Sequence, residues 1–282
     1  MKKASFFLIL CVSLIINIGT ASADFGPKDS LTIYAENMPD SLCYLDLLVD
    51  ETTEDTCENI HDLSKYDSTL INVLKNYNNN GWRPAMVLGT SWAPIHGDIR
   101  CDVNEGKCVQ HFSYAGVPDN FKIIVVSTDG KIVVSNTIKR FAFSSTVNFN
   151  YKTGEAYEKS YFLSYLLQFL FTCAWTLIIE GLILIVFGFS LKQNLKPFLL
   201  INIITQILFT VAVYFSMVTG GNFYAVVVYI LSEIVIFIVE TILFSIFLKQ
   251  KSKFERVAFS LTANGVSLFM GVLLMVYDIY YI

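Results

Sequence analysis

Glu180, Glu233 and Glu240 each sit inside a long run of Leu, Ile, Val and Phe. The neighbouring apolar runs carry Asn202, Thr205 and Gln206, then Asn264 and Ser267. A carboxyl at mid-depth in hydrocarbon is costly, about 2.5–3.5 kcal/mol when scored like a mid-helix Asp. Such side chains are therefore expected to face one another rather than lipid. Two kinds of chemistry fit them. Neutral carboxyls hydrogen-bonded to Asn and Gln amides would lock helices together. The same carboxyls could instead bind or relay a proton or cation, or recognise a ligand. No Lys, Arg or His lies in these runs to pair with a glutamate, which favours neutral, hydrogen-bonded acids.

Catalytic patterns are weak throughout. The apolar runs contain no His and no Asp, so Ser-His, Gly-x-Gly-Asp and His-Glu-x-x-His intramembrane proteases have no base or ligand. Gly265-Val266-Ser267 reads as helix packing, and Glu180-Gly181 lacks the second Glu and the Arg of prenyl-protease-like chemistry. A P-loop, G-x-G-x-x-G and G-x-S-x-G are all absent. His61, His96 and His111 have no motif-defined nucleophile beside them and read as loop histidines. Asp46, Asp50, Glu51, Glu54, Asp55, Glu58 and Asp62 lack calcium-loop spacing and read as a solvated acidic face. No catalytic residue, metal or cofactor is assigned.

Cys43, Cys57, Cys101 and Cys108 are disulfide candidates if their half of the chain is exported. Four cysteines allow three pairings. The local pairing Cys43–Cys57 with Cys101–Cys108 is favoured, because Asn104-Glu105-Gly106 is a turn that would bring Cys101 and Cys108 together. Zinc is disfavoured by the missing C-x-x-C spacing.

The elements that must position these residues follow from composition. Of 282 residues, 54% are hydrophobic, 15% aromatic and only 16% charged. Ordinary globular chains are about 45–50% apolar and about 25% charged. That balance excludes a disordered or nucleic-acid-binding chain. The net charge of −4 hides a division. Residues 24–160 hold 12 Lys and Arg against 19 Asp and Glu; residues 161–282 hold 6 against 5, spread between long apolar runs.

Residues 1–23 read as a signal peptide. Lys2 and Lys3 are followed by about 15 apolar residues and then by Thr20-Ala21-Ser22-Ala23, suited to cleavage after Ala23. Residues 24–160 read as an extracytoplasmic β-rich, sandwich-like domain. Leu31–Tyr34 alternates, Cys43–Val49 is a continuous apolar run, and Phe121–Val126 with Lys131–Ser135 forms a hairpin over an Asp129-Gly130 turn. Phe141–Tyr151 alternates again. Asp67–Tyr77 places Leu70, Ile71, Leu74 and Tyr77 on one helical face. Residues 161–282 read as a four-helix transmembrane bundle, with spans at about 162–191, 198–218, 223–248 and 257–277.

Lys192 and Lys196 mark one inter-span turn, and Lys249, Lys251, Lys253 and Arg256 another; Thr219–Asn222 has no basic residue. Basic turns stay cytoplasmic. Both ends of the mature chain are then expected outside. Counting inward from the basic residues at 1.5 Å each puts Glu180, Gln206, Glu240 and Asn264 roughly 12–18 Å deep, in one polar layer. Glu233 lies a heptad above Glu240. Ser260, Asn264, Ser267 and Gly271 make a small-polar stripe that permits close helix approach.

Several stretches taken together resemble a known group: Tyr44–Val49, Gly81–Ala85, Gly89-Thr90 with Pro94 and Gly97, Phe112–Tyr114 with Gly116–Pro118, and Phe121–Val125. In the spans they are Glu180-Gly181, Asn202–Gln206, Glu233 with Glu240, and Ala263-Asn264 with Ser267 and Gly271. The chain resembles uncharacterised multi-pass membrane proteins of low-GC Gram-positive bacteria over nearly its whole mature length. The resemblance implies a bacterial plasma-membrane location and no particular activity. The role expected is ligand or partner binding or sensing by the exported domain. Its partners would be the lipid bilayer and a membrane protein or a second copy of the chain, not nucleic acid. The alternative is a proton- or cation-coupled transporter subunit.

Overall fold

A computed structural model of the chain describes residues 27–50, 57–91 and 93–281. The expected signal peptide lies outside the described residues, as do Glu51, Glu54 and Asp55. The described chain falls into two compact units, one built from the residues up to Ser160 together with Val218–Gly221 and one from the rest of the chain from Tyr161 onward.

The first unit contains two sheets. One has the order β4 (Lys107–Ser113), β1 (Ser30–Glu36), β8 (Ser144–Asn150), β9 (Ala156–Glu158), with β1 and β8 parallel and the outer pairs antiparallel. The other is antiparallel, in the order β3 (Arg83–Pro84), β2 (Cys43–Val49), β5 (Asn120–Ser127), β6 (Ile132–Val134), with β7 (Ile138–Lys139) also on β5. Strand burial follows the sequence patterns. β1 and β8 alternate, sending Leu31, Ile33, Val147 and Phe149 to the core. β2 is buried at all seven positions, which its apolar residues explain everywhere but at Asp46.

The second face of β2 needs a cover, and two helices supply it. α1 (Ser68–Lys75) turns Leu70, Ile71 and Leu74 inward, and α2 (Ala85–Leu88) adds Met86 and Val87; all five share one apolar cluster with Ile33 and Phe149. Burying each such side chain contributes about 1.5–3 kcal/mol. Asp67 starts α1 by accepting from Thr69 N at 2.9 Å and Leu70 N at 3.0 Å, a cap of the expected type. The turn expected at Asn104–Gly106 is present. Asn104 and Lys107 exchange backbone hydrogen bonds of 2.9 Å, with positive φ at Glu105 and Gly106. Those two positive φ angles suit a two-residue hairpin turn.

The second unit holds α3 (Phe162–Val186), α4 (Leu191–Phe247) and α5 (Lys253–Tyr281). Among the described residues, α3 and α4 are long and apolar enough to cross a membrane, and only 17% of the most apolar stretch of each is buried. Leu163, Leu167, Phe171, Ile178 and Leu182 are each more than half exposed. A core helix of a water-soluble protein would bury such a face.

α4 is 57 residues long but breaks at Gly221, where φ is 70° and ψ −168°. Its halves fold back on each other. Phe198 stacks on Phe244 at 6.2 Å, and Phe209 meets Tyr229 at 5.0 Å. The break falls inside the turn expected at Thr219–Asn222. The other expected turn is displaced. Lys192–Pro197 belongs to α4, and the chain turns at Phe187–Ser190 instead. Gly188, at φ 74°, ends α3 there, with its N–H on Ile185 O at 2.8 Å and the Phe189 N–H on Leu184 O at 3.2 Å. A glycine closes a helix in this left-handed conformation without strain.

The two Lys-bearing segments meet at one end of this unit. Asn194 Oδ1 accepts from Lys249 N at 2.7 Å, and Gln250 Oε1 accepts from Ser190 N at 3.1 Å. Arg256 Nη1 donates to Ser245 O at 2.9 Å and Leu248 O at 2.7 Å, satisfying the last carbonyls of α4. Ser252 and Glu255 cap α5 reciprocally, at 2.8 and 3.2 Å. Phe189, Phe198, Phe244 and Phe259 pack beside these turns in one buried cluster with Leu184 and Leu248.

Candidate functional site

Glu180 (1% exposed) from α3, Asn202 (0%) and Thr205 from the first half of α4, Glu240 (1%) from its second half, and Asn264 with Ser260 from α5 are all buried. Asn202 donates to Glu180, and Asn264 donates to Glu240. Asn202 Nδ2 also donates to Phe198 O at 3.2 Å, and Asn264 Nδ2 to Ser260 O at 3.1 Å. Helix spacing explains the grouping. Asn202 with Thr205, and Ser260 with Asn264, are three and four residues apart and so share a face.

The Thr205 hydroxyl sits against Glu240 Oε1 and also 3.0 Å from the carbonyls of Ile201 and Asn202. A hydroxyl has one proton to donate. Facing an ionised Glu240, Thr205 donates to the carboxylate. Facing a protonated Glu240, it accepts from the acid and donates back to its own helix. The same geometry therefore serves Glu240 in either charge state.

Three of the layer's oxygens have no hydrogen-bond partner: Glu180 Oε2, Asn202 Oδ1 and Glu240 Oε2. All three are acceptors. The remaining candidates stand at the margin. Gln206 is half-buried, and it is Thr205 beside it that reaches Glu240. Glu233 is half-buried and accepts from the Tyr229 hydroxyl. Ser267 is half-buried and Gly271 exposed, so the small-polar stripe of α5 loses its cover towards the chain end.

The β unit brings the expected neighbours Cys101 and Cys108 together and adds Cys43 beside Cys101. No two of the described cysteines are bonded. Cys101 has the thiols of both Cys108 and Cys43 as hydrogen-bond neighbours, and its backbone N–H donates to Cys43 O at 3.1 Å. Cys57 lies instead in a backbone bridge to Thr90. Cys101 thus has both Cys108 and Cys43 as neighbours, and all of these cysteines are free thiols. The physical reason is register. β4 carries Cys108 opposite Ala35 of β1, while the segment before it crosses β2 at Tyr44 and Arg100. The Cys108 and Cys43 thiols beside it push the Cys101 thiol up, and their bonds to Cys101 hold Cys43 and Cys108 below the usual thiol range.

Asp46 corrects the reading of a solvated acidic face. It is fully buried in the middle of β2. Its Oδ1 accepts from Leu47 N at 2.6 Å and Met86 N at 2.8 Å, and its Oδ2 from Val87 N at 3.1 Å. Burial pushes its carboxyl up to about 7, against those three backbone donors, which hold it down. Asp50, Glu58 and Asp62 are exposed as expected. His96 stacks on Tyr114 with ring centroids 4.4 Å apart, and His111 Nδ1 lies 3.1 Å from Thr32 Oγ1. Among the described residues, no three His, Cys, Asp or Glu are grouped to hold a metal ion.

Comparison with known proteins adds no relative: no protein-family model, no curated protein and no solved structure matches the chain. What the fold and the buried layer define is a β-sheet unit joined to long apolar helices that carry a carboxyl-amide cluster.

Proposed function

We propose that the chain is a multi-pass plasma-membrane protein of a bacterium. Its helices form a four-helix bundle with spans on α3, the two halves of α4, and α5. Its β-rich domain lies outside the cell and binds a ligand or a membrane partner, without catalysis of its own. The observation that carries this reading is the exposed apolar surface of α3 and α4, only 17% buried over their most apolar stretches. Hydrocarbon satisfies such a surface and water does not. The orientation is supported by charge. Lys192, Lys196, Lys249, Lys251, Lys253 and Arg256 gather at the end where Asn194 meets Lys249, and basic turns are retained in the cytoplasm.

The test is labelling of intact cells with a membrane-impermeant maleimide. Asp129→Cys, on the hairpin turn of the β unit, is expected to label at once. Lys251→Cys is expected to label only after permeabilisation. Equal labelling of the two in intact cells would refute the topology. Partner binding is read separately, by cross-linking cells with an impermeant reagent and purifying the chain. Recovery of the chain with neither a second membrane protein nor another copy of itself would refute the binding role.

A further inference from the structure

We propose that Glu180, Asn202 and Glu240 bind one monovalent metal cation between α3 and the two halves of α4. The argument begins with the three oxygens that lack partners, Glu180 Oε2, Asn202 Oδ1 and Glu240 Oε2. Each belongs to a side chain at least 99% buried. A buried acceptor without a donor loses about 1–3 kcal/mol of solvation, more for a charged group. Here three occur on neighbouring residues of one layer.

The local donors are already committed. Asn202 Nδ2 serves Phe198 O and Glu180, Asn264 Nδ2 serves Ser260 and Glu240, and the Thr205 hydroxyl has a single proton. No Lys, Arg or His occurs within the spans. One proton shared by two of the orphan oxygens does not relieve the whole layer, because the third still lacks a partner. An atom lying between the oxygens does. Only a cation also balances the charge, and carboxylate and amide oxygens are hard ligands suited to hard ions.

The valence follows from the charge of the layer and from Thr205. With Glu240 protonated on Oε1 and donating to Thr205, its Oε2 remains an acceptor, and Glu180 carries the one negative charge. One positive charge then neutralises the site.

The inference goes beyond the binding role proposed for the β domain, and its failure would leave the labelling result untouched. The test uses the full chain in detergent, unfolded by heat and followed by tryptophan fluorescence. Choline chloride is compared with lithium, sodium and potassium chloride at equal ionic strength. A bound ion raises the midpoint with the logarithm of its concentration above Kd. At least one alkali ion is expected to do so, and choline is not. Glu180→Gln and Glu240→Gln are expected to lose that shift, while the surface control Glu155→Gln keeps it. Identical midpoints of the native chain in all four salts would overturn the proposal even if the variants fail to fold. A shift that persists in both folded variants would overturn it as well.

Discussion

Asp46→Asn is expected to weaken the chain in acid and to cost little or nothing above neutrality. An unfolded Asp titrates near 3.9, and in the folded chain burial pushes Asp46 up to about 7. The folded state therefore holds its proton over a range where the unfolded state has released it. The stability tied to that proton is fully present below about pH 4 and is lost as pH rises through about 7. The difference is about 3 pK units, and at 1.36 kcal/mol each it amounts to about 4 kcal/mol. Asn has no proton to lose, so the variant's stability should not fall along this curve. Its Oδ1 can still accept from Leu47 and Met86, but its Nδ2 would meet the Val87 N–H, two donors facing, for about 1–3 kcal/mol. At low pH the native chain should thus be the more stable by about that amount. By about pH 8 the gap should close or reverse, having shifted by up to about 4 kcal/mol. Thermal unfolding of both chains across this range, followed by near-ultraviolet circular dichroism, measures the gap directly. A gap independent of pH would refute the assignment of a high-titrating carboxyl to Asp46.

Oxidised protein, digested without reduction, should yield Cys101 linked to Cys108 or to Cys43, and mass spectrometry of the peptides would read this; a Cys43–Cys57 peptide would contradict the cysteine cluster. Gly188→Ala should cost about 1–2 kcal/mol through left-handed backbone strain alone, because a Cβ there meets nothing closer than Lys251 Nζ at 3.5 Å. Unfolding midpoints in detergent would show this, and a loss comparable to a Phe→Ala cavity, about 3–5 kcal/mol, would point to packing instead.

Several features were legible in the residues because one local rule governs each. Asp67 caps α1 because a carboxylate before an amphipathic run satisfies free N–H groups. Gly106 and Gly130 mark hairpin turns because few other residues adopt their φ values of 70° and 82°. The buried layer was legible in part. Counting from the basic residues places Glu180, Glu240 and Asn264 in the layer, but on α4 it selects Gln206 instead of Asn202 and Thr205; Thr205 and Gln206 are one residue and about 100° apart on the helix. Only the crossing of the α4 halves decides between them. Asp46 was illegible for a different reason. Its donors Met86 and Val87 lie 40 and 41 residues further along the chain, and nothing near Asp46 separates it from the solvated acids that follow. The turn at Gly188 was obscured by Lys192, Lys196 and Pro197, which look like a helix break but all lie inside α4.

The phenylalanine cluster and the turn-to-turn hydrogen bonds act as a vise on one end of the helical unit. Movement there would have to break several buried contacts at once. Tyr165 lies 19 residues along α3 from Leu184, roughly 29 Å. A tilt of about 5° at the vise would swing it by roughly 2.5 Å. The polar layer lies close to the fulcrum, so such a tilt would change the spacing of Glu180 and Glu240 far less than the position of Tyr165.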